Sequence, residues 1–139
     1  MGSRLFISIA LISFSALSAA NDFGADSQAA FLSADQAFVA DVWMDGEQAT
    51  VAWQIAPGYY LYGHALAFEL DGATLQASIP AGEPYRDEHF GDVSIYRDQL
   101  FVALPPEAAR GTLTVHYQGC ADAGLCYPPT QRSFTLPPP

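Results

Sequence analysis

The stretch "AFVADVWMDGEQATVAWQI", residues 37–55, decides the fold class of this chain. Apolar and polar residues alternate in both halves, and the Asp-Gly pair at 45–46 between them is a strong β-hairpin signal. In the second half Val51, Trp53 and Ile55 fall on one face of an extended strand. The stretch therefore predicts two antiparallel strands, each with one buried face.

Similar short runs follow along the rest of the chain, separated by turn residues. They are "HALAFEL", "TLQASIP", "VSIY", "QLFVALP", "TLTVHYQ" and "SFTLP". Seven or eight short strands at this spacing, without an amphipathic helix, predict an all-β fold and a β-sandwich. Three segments lack the strand pattern and are expected to be functional loops: 56–64 with its tyrosines, the acidic 81–92, and 117–129 with both cysteines.

The first residues have the layout of a secretory signal peptide. Arg4 precedes an apolar run over 5–17 and then small residues, so we predict a signal peptide at 1–20. We expect one domain at 21–136 and the start of a Pro-rich linker or tail at 137–139. The apolar run is shorter than the roughly 20 residues of a membrane span, and no later segment is long enough either, so no direct membrane insertion of the chain is expected.

The charge balance excludes one class of partner. Asp and Glu number 15 against 5 Lys and Arg, which gives a formal net charge of −10 at pH 7. Such a surface repels phosphates, so no nucleic acid is expected as a partner.

The only two cysteines, Cys120 and Cys126, lie in the segment "YQGCADAGLCYPP" at 117–129. A structural bridge there would close a very small loop and stabilise the fold by roughly 2 kcal/mol, against roughly 4 kcal/mol for a bridge between sheets. Thiol–disulfide exchange instead needs two close sulfurs, of which one attacks a partner disulfide and the other resolves the intermediate. The residues alone leave both possibilities open.

Two other cysteine chemistries fit the sequence less well. The histidines stand at no metal-ligand spacing from the cysteines or from each other, so neither a metal nor another cofactor is expected. They are His64, His89 and His116. A cysteine protease needs a histidine and an orienting group near one thiol. A second cysteine in the same loop would tend to oxidise that nucleophile in an oxidising compartment.

The cysteine segment, together with "SADQAF", "WQIAPGYYLY" and "SIYRDQL", resembles the N-terminal periplasmic domain of the thiol:disulfide interchange protein DsbD. The resemblance runs from about Phe31 to about Leu136. It implies an immunoglobulin-like β-sandwich in the periplasm that acts as a protein-disulfide reductase, as one domain of a larger electron-transfer system linked to cytochrome c biogenesis.

The resemblance also implies partners. The electron donor would be a thioredoxin-like C-terminal domain of the DsbD type, fed through a membrane-embedded domain. The acceptors would be a periplasmic disulfide isomerase and a thioredoxin-like protein of cytochrome c maturation. This chain contains neither the membrane domain nor the thioredoxin-like domain, so we expect an excised domain or a stand-alone relative.

By the same resemblance, Cys126 forms the mixed disulfide with partners and Cys120 resolves it. Tyr60 and Tyr62 would line the site. The segment "DEHFG" would be a cap that covers the disulfide and opens when a partner docks. Its residues are Asp87, Glu88, His89, Phe90 and Gly91.

The cap departs from the family pattern, which often has two adjacent aromatic residues where this chain has His89 and Phe90. We favour Phe90 as the shielding residue because an apolar ring excludes water from a disulfide better than imidazole. A charge on Asp87 or Glu88 near the cysteines would oppose thiolate formation. The alternative function is a non-catalytic immunoglobulin-like binding module whose disulfide only fixes a loop.

Overall fold

The computed structural model describes residues 30–139, so the predicted signal peptide at 1–20 lies outside the described residues. Within this range, no helix combines the length and the apolar character that crossing a membrane requires. The described strands are β1 (Phe38–Asp45), β2 (Gln48–Ile55), β3 (Tyr59–Tyr62), β4 (Ala67–Leu70), β5 (Ala73–Leu75), β6 (Glu83–Asp87), β7 (Gly91–Tyr96), β8 (Gln99–Ala103), β9 (Gly111–Tyr117), β10 (Gly119–Ala121) and β11 (Thr130–Leu136). One short helix, α1 (Ala34–Ala37), and 3-10 turns at Gly63–Ala65 and Pro106–Ala109 complete the elements.

The hairpin predicted at 37–55 is confirmed. β1 and β2 pair antiparallel over their whole length, with Val42 opposite Val51. Gly46 closes the turn at φ +62°, a left-handed conformation that favours glycine. β8 adds to the other edge of β2, which makes the first sheet β1-β2-β8.

The main core lies between the first sheet and the sheet β11-β9-β4-β5. Trp53 of β2 is fully buried, and its ring lies 6.2 Å from that of Phe68 and 5.8 Å from that of Tyr117. Alternating side chains of both sheets fill this layer, as in other β-sandwiches. The predicted fold class, an all-β immunoglobulin-like β-sandwich, is confirmed.

The expectation of three loops is wrong. The segments 56–64, 81–92 and 117–129 contain β3, β6 and β10, which join with β7 in a sheet of order β10-β3-β7-β6. We call it the site sheet. β3 is buried along most of its length and β10 throughout, so neither shows the alternation that marks a half-buried strand. β6 contains Pro84, which is tolerated because β6 is an edge strand.

β10 can reach β3 only because Gly119 has no side chain. A Cβ atom there would lie 2.4 Å from the ring of Phe38 and 2.4 Å from the carbonyl oxygen of Tyr60. Both distances are far below van der Waals contact, and one neighbour is backbone that cannot rotate away. Glycine is therefore required at the residue before Cys120.

We expect Gly119→Ala to lower the free energy of unfolding by about 3 kcal/mol, because the added methyl group overpacks a rigid site. Urea unfolding followed by tryptophan fluorescence measures this loss. Gly46→Ala is the matched control: a Cβ at Gly46 meets nothing within 4 Å. The control should therefore show only a backbone cost of about 1 to 2 kcal/mol. Equal losses in the two variants would contradict the steric argument.

Candidate functional site

The two cysteines form a cross-strand pair at the edge of the site sheet. Cys120 and Cys126 are disulfide-bonded, with Cα atoms 4.0 Å apart, and face each other as an isolated antiparallel bridge. Next to the pair, the amide of Tyr127 donates a hydrogen bond to the carbonyl of Gly119 at 3.0 Å. We call residues 120–126 the cysteine loop. The predicted closeness of the sulfurs is confirmed.

The two sulfur-bearing residues differ sharply in exposure. Cys120 is 0% exposed and belongs to a small buried cluster with Tyr60, Tyr62 and Ile95. Cys126, at the other end of the cysteine loop, is exposed. A protein approaching from solvent therefore reaches Cys126 and not Cys120.

The hydroxyl of Tyr62 connects the disulfide to a buried carboxylate. It donates a hydrogen bond to Asp87 Oδ2 at 2.5 Å. Its oxygen also lies 3.1 Å from Cys120 Sγ and 3.9 Å from Cys126 Sγ. Because the single hydroxyl proton goes to Asp87, the Tyr62 oxygen can accept a hydrogen bond from a Cys120 thiol in the reduced protein.

Asp87 is buried at the end of β6 and holds the following turn. Its Oδ1 accepts hydrogen bonds from the amides of His89 at 2.7 Å and Phe90 at 2.9 Å. A carboxylate that bonds the backbone two and three residues ahead is a common way to fix a tight turn. Gly91 completes the turn at φ +73°. We call residues 87–91 the cap turn.

Burial and hydrogen bonding shift the pKa values at the site. Burial raises the pKa of Asp87, but the hydrogen bonds from Tyr62 and from the two amides outweigh it, so the net shift is downward. The pKa of Tyr62 is raised well above its ordinary value, mainly by burial and next by the hydrogen bond to Asp87. Burial raises the pKa of Tyr60 to about 12. The site therefore contains a carboxylate and two neutral phenols at neutral pH.

The cap turn contributes to two sides of the site. On one side the Phe90 ring, 50% exposed, lies 5.2 Å from the ring of Tyr62 and 4.6 Å from that of His64. On the other side Glu88 and His89, both exposed, line a cavity of about 120 Å³. The remaining residues of that cavity are Tyr60, Tyr85, Asp87, Ala121, Asp122, Gly124 and Cys126.

The sequence reasoning missed an ion pair beside the cysteines. Arg97 Nη1 and Nη2 donate hydrogen bonds to the two carboxylate oxygens of Asp122, both at 3.0 Å. The Arg97 guanidinium also lies 5.2 Å from the ring centre of Tyr60. Asp122 stands inside the cysteine loop, but its partner is 25 residues away, so no local pattern could connect them.

Across residues 30–139, no group of three or more His, Cys, Asp or Glu side chains could hold a metal ion.

We expect Asp87→Asn to lower the free energy of unfolding by about 2 kcal/mol at neutral pH, because the hydrogen bonds from Tyr62, His89 and Phe90 lose their charged acceptor. The pKa of Asp87 is lowered in the folded protein. Its contribution is therefore complete above the ordinary pKa of about 4 and is lost as the pH falls through the folded value. Urea unfolding should show a constant difference between wild type and variant from about pH 7 to 5, and a shrinking one below about pH 4.

Glu88→Gln is the matched control for this measurement, since Glu88 is the next carboxylate along the cap turn and is exposed. It should change stability little at any of these pH values. If the Asp87→Asn difference were independent of pH down to about 2, the folded protein would not be stabilised by the ionised carboxylate.

Comparison with known proteins identifies relatives of the whole described range. A family model described as "Thiol:disulfide interchange protein DsbD, N-terminal" matches residues 28–138. The thiol:disulfide interchange protein DsbD of Cronobacter sakazakii is 43% identical over 133 residues, which are 94% of this chain and 23% of that protein. DsbD of Pectobacterium atrosepticum is 45% identical over 117 residues, 82% of this chain and 20% of that protein. The chain thus spans about a fifth of the length of these relatives.

Two solved structures from Neisseria meningitidis show the same fold. The DsbD N-terminal domain in the reduced form has a TM-score of 0.69 at 36% identity, covering 76% of this chain and 89% of that one. The DsbD N-terminal domain in a complex with the PilB N-terminal domain has a TM-score of 0.66 at 34% identity, covering 76% and 87%. With its two cysteines joined in one disulfide, this chain belongs to the family of N-terminal domains of thiol:disulfide interchange protein DsbD.

Proposed function

We propose that this chain is a periplasmic protein-disulfide reductase domain that transfers electrons to partner disulfides through Cys126 and Cys120. The predicted signal peptide at 1–20 would deliver it to that compartment. The observation that carries the proposal is the unequal exposure of the bonded pair: Cys126 is exposed and Cys120 is buried against it. A two-step exchange needs an accessible attacking sulfur and a second sulfur within bonding reach, and this pair provides both.

The proposed reaction has two substitutions at sulfur. The Cys126 thiolate attacks a partner disulfide, forms a mixed disulfide and releases the partner's other sulfur as a thiolate. The Cys120 thiolate then attacks Cys126 Sγ, forms the Cys120–Cys126 bond and releases the second partner sulfur. The partner gains two electrons and two protons, and the domain is left oxidised.

Tyr62 and Asp87 would control the buried thiol in this reaction. In the reduced protein the Cys120 thiol can donate a hydrogen bond to the Tyr62 oxygen, 3.1 Å away. The Tyr62 hydroxyl in turn donates a hydrogen bond to Asp87. A carboxylate charge so close opposes a second negative charge on the sulfur. The reduced pair would therefore be slow to react with small oxidants and would depend on a docked partner for its reactivity.

The partners are proposed from the family and from the exposed cysteine. We propose a thioredoxin-like C-terminal domain of the DsbD type as the electron donor, because the Cys120–Cys126 disulfide must be reduced again after each transfer and the chain matches the N-terminal part of DsbD. The acceptors would be a periplasmic disulfide isomerase and a thioredoxin-like protein of cytochrome c maturation. The complex of the Neisseria relative with the PilB N-terminal domain supports a protein partner for this fold.

The cap turn is proposed as a shield for the disulfide. The Phe90 ring packs against Tyr62, whose hydroxyl contacts Cys120 Sγ, and His89 lines the cavity beside Cys126. Since Cys126 is exposed, the shielding in this conformation falls on the Cys120 side. The alternative is a binding module in which the Cys120–Cys126 disulfide only fixes the cysteine loop.

We expect Cys126→Ser to abolish reduction of an oxidised thioredoxin-like partner, because the exposed nucleophile is lost. Cys120→Ser should instead accumulate a mixed disulfide through Cys126, because nothing resolves it. Non-reducing electrophoresis and mass spectrometry of the trapped species measure both outcomes. A mixed disulfide formed through Cys120 would reverse the two roles.

A separate measurement, the reduction potential of the disulfide, distinguishes the reductase from the binding module. The protein is equilibrated in dithiothreitol redox buffers, and free thiols are counted by alkylation and mass. A reduction potential of about −200 to −250 mV is expected for a cysteine pair that cycles, whereas structural disulfides of secreted proteins have reduction potentials below about −300 mV. A value in the lower range would favour the binding module over the reductase.

We expect Phe90→Ala to speed the reduction of the disulfide by dithiothreitol several-fold, because removing the ring that packs against Tyr62 opens the Cys120 side of the bond to attack. Phe101→Ala is the control, since Phe101 is 46% exposed but lies on β8 in the first sheet. His89→Ala, measured in parallel, shows which of the two cap side chains shields the bond. Equal rates for the Phe90 and Phe101 variants would exclude shielding by Phe90.

A further inference from the structure

The Arg97–Asp122 pair, which the exchange steps above leave without a role, joins the cysteine loop to another part of the site sheet. Arg97 directly follows β7, and its guanidinium bonds both oxygens of Asp122 at 3.0 Å. The guanidinium carbon also lies over the Tyr60 ring, 5.2 Å from the ring centre. Arg97 Nε lies 4.0 Å from Glu83 Oε2. A guanidinium held by a carboxylate fork and an aromatic face has a defined position, which a lysine could not reproduce.

The other attachments of the cysteine loop are the disulfide and backbone hydrogen bonds, among them one from the amide of Ala121 to the carbonyl of Leu125 at 2.6 Å. Asp122, Ala123 and Gly124 are exposed. The amide of Asp122 donates to the carbonyl of Gly58 at 2.8 Å, and the amide of Gly124 donates to Ala121 at 3.0 Å. The disulfide is the covalent attachment at the Cys126 end. Reduction removes that attachment and leaves the Arg97–Asp122 pair as the ion pair that holds the loop at Asp122, beside the longer contact of 3.9 Å between Cys126 Sγ and the Tyr62 hydroxyl.

We propose that Arg97 is a positioning residue which, through Asp122, keeps the reduced cysteine loop in the conformation that brings Cys126 against Cys120. This inference rests on the proposed exchange function. The step it serves is resolution: the Cys120 thiol gives up a proton, which in net terms passes to the leaving partner sulfur, and the thiolate attacks Cys126 Sγ. The Cys120–Cys126 bond forms while the bond from Cys126 to the partner breaks. The electron pair leaves on the partner's sulfur, which takes up a proton.

Resolution depends on loop order more than the first attack does. It is intramolecular, so its rate follows the fraction of time that the two sulfurs stand in reacting geometry. The first attack needs only that Cys126 be reachable, and Cys126 is exposed. Loosening the loop should therefore slow the second step selectively and make the disulfide easier to reduce.

Stopped-flow absorbance with dithiobis(nitrobenzoate), an aromatic disulfide, separates the two steps. Attack by Cys126 releases one coloured thiolate, at a rate that rises with reagent concentration. Resolution by Cys120 releases the second, at a rate that does not. We expect Arg97→Gln to slow the second release about tenfold and to change the first less than about twofold. Asp122→Asn should give the same result, and the double variant should be no slower than either single one.

Arg86→Gln is the matched control. Arg86 pairs with Asp92 at 3.0 Å in the same sheet, with side chains 77% and 87% exposed, and its ion pair among the described residues is with β7 and not with the cysteine loop. It should leave both releases unchanged. Arg97→Lys keeps the positive charge but cannot form both hydrogen bonds to Asp122. Its second thiolate release should therefore remain as slow as that of Arg97→Gln.

Several results would overturn the proposal. They are a second release as fast in Arg97→Gln as in Arg86→Gln, an equal slowing of both releases, or full recovery by Arg97→Lys, which would make the effect one of charge alone. Thermal unfolding of each oxidised variant should stay close to wild type, so that a loss of fold is recognised. A wild-type protein that releases only one coloured thiolate would instead refute the proposed function, because the pair would not cycle.

Discussion

The site depends on the pairing of two short strands from distant parts of the chain. β10 lies antiparallel to β3 with Cys120 opposite Tyr60, and the contact is possible because Gly119 presents no side chain to Tyr60 and Phe38. β3 is also what joins the site to the rest of the protein. Its Leu61 side chain belongs to the main core, while Tyr60 and Tyr62 belong to the small cluster around Cys120. The disulfide is therefore attached to the sandwich through four consecutive buried or half-buried residues.

One carboxylate links the shape of the cap turn to the chemistry of the sulfurs. Asp87 Oδ1 holds the amides of His89 and Phe90, and Asp87 Oδ2 holds the hydroxyl that contacts Cys120 Sγ. Any opening of the turn that withdraws Asp87 would break both sets of bonds together. In the proposed function, a partner that displaces the cap turn would also remove the negative charge from beside Cys120, which favours its thiolate.

Local patterns were enough to predict the sandwich but not the site sheet. The hairpin of β1 and β2 alternates clearly around its Asp-Gly turn, and such half-buried strands show in the sequence. β3 and β10 are buried on both faces, so their strand character leaves no alternation to detect. The cysteine pair is short-range and was visible. Cys120 and Tyr62 are 58 residues apart in the sequence, and Arg97 and Asp122 are 25 apart. Neither contact could be predicted from a local sequence pattern.

The six-residue separation of the two cysteines has a consequence for how the domain matures. So small a ring closes readily in a disordered chain, because the entropy lost on closure grows with loop length. The two cysteines of these 139 residues have a single pairing with each other, so within this stretch no alternative isomer competes. The covalent bond can thus be present before any β-sheet exists. A correct disulfide in a biosynthetic sample is therefore no proof of folding, whereas the short bond between Tyr62 and Asp87 forms only in the native structure.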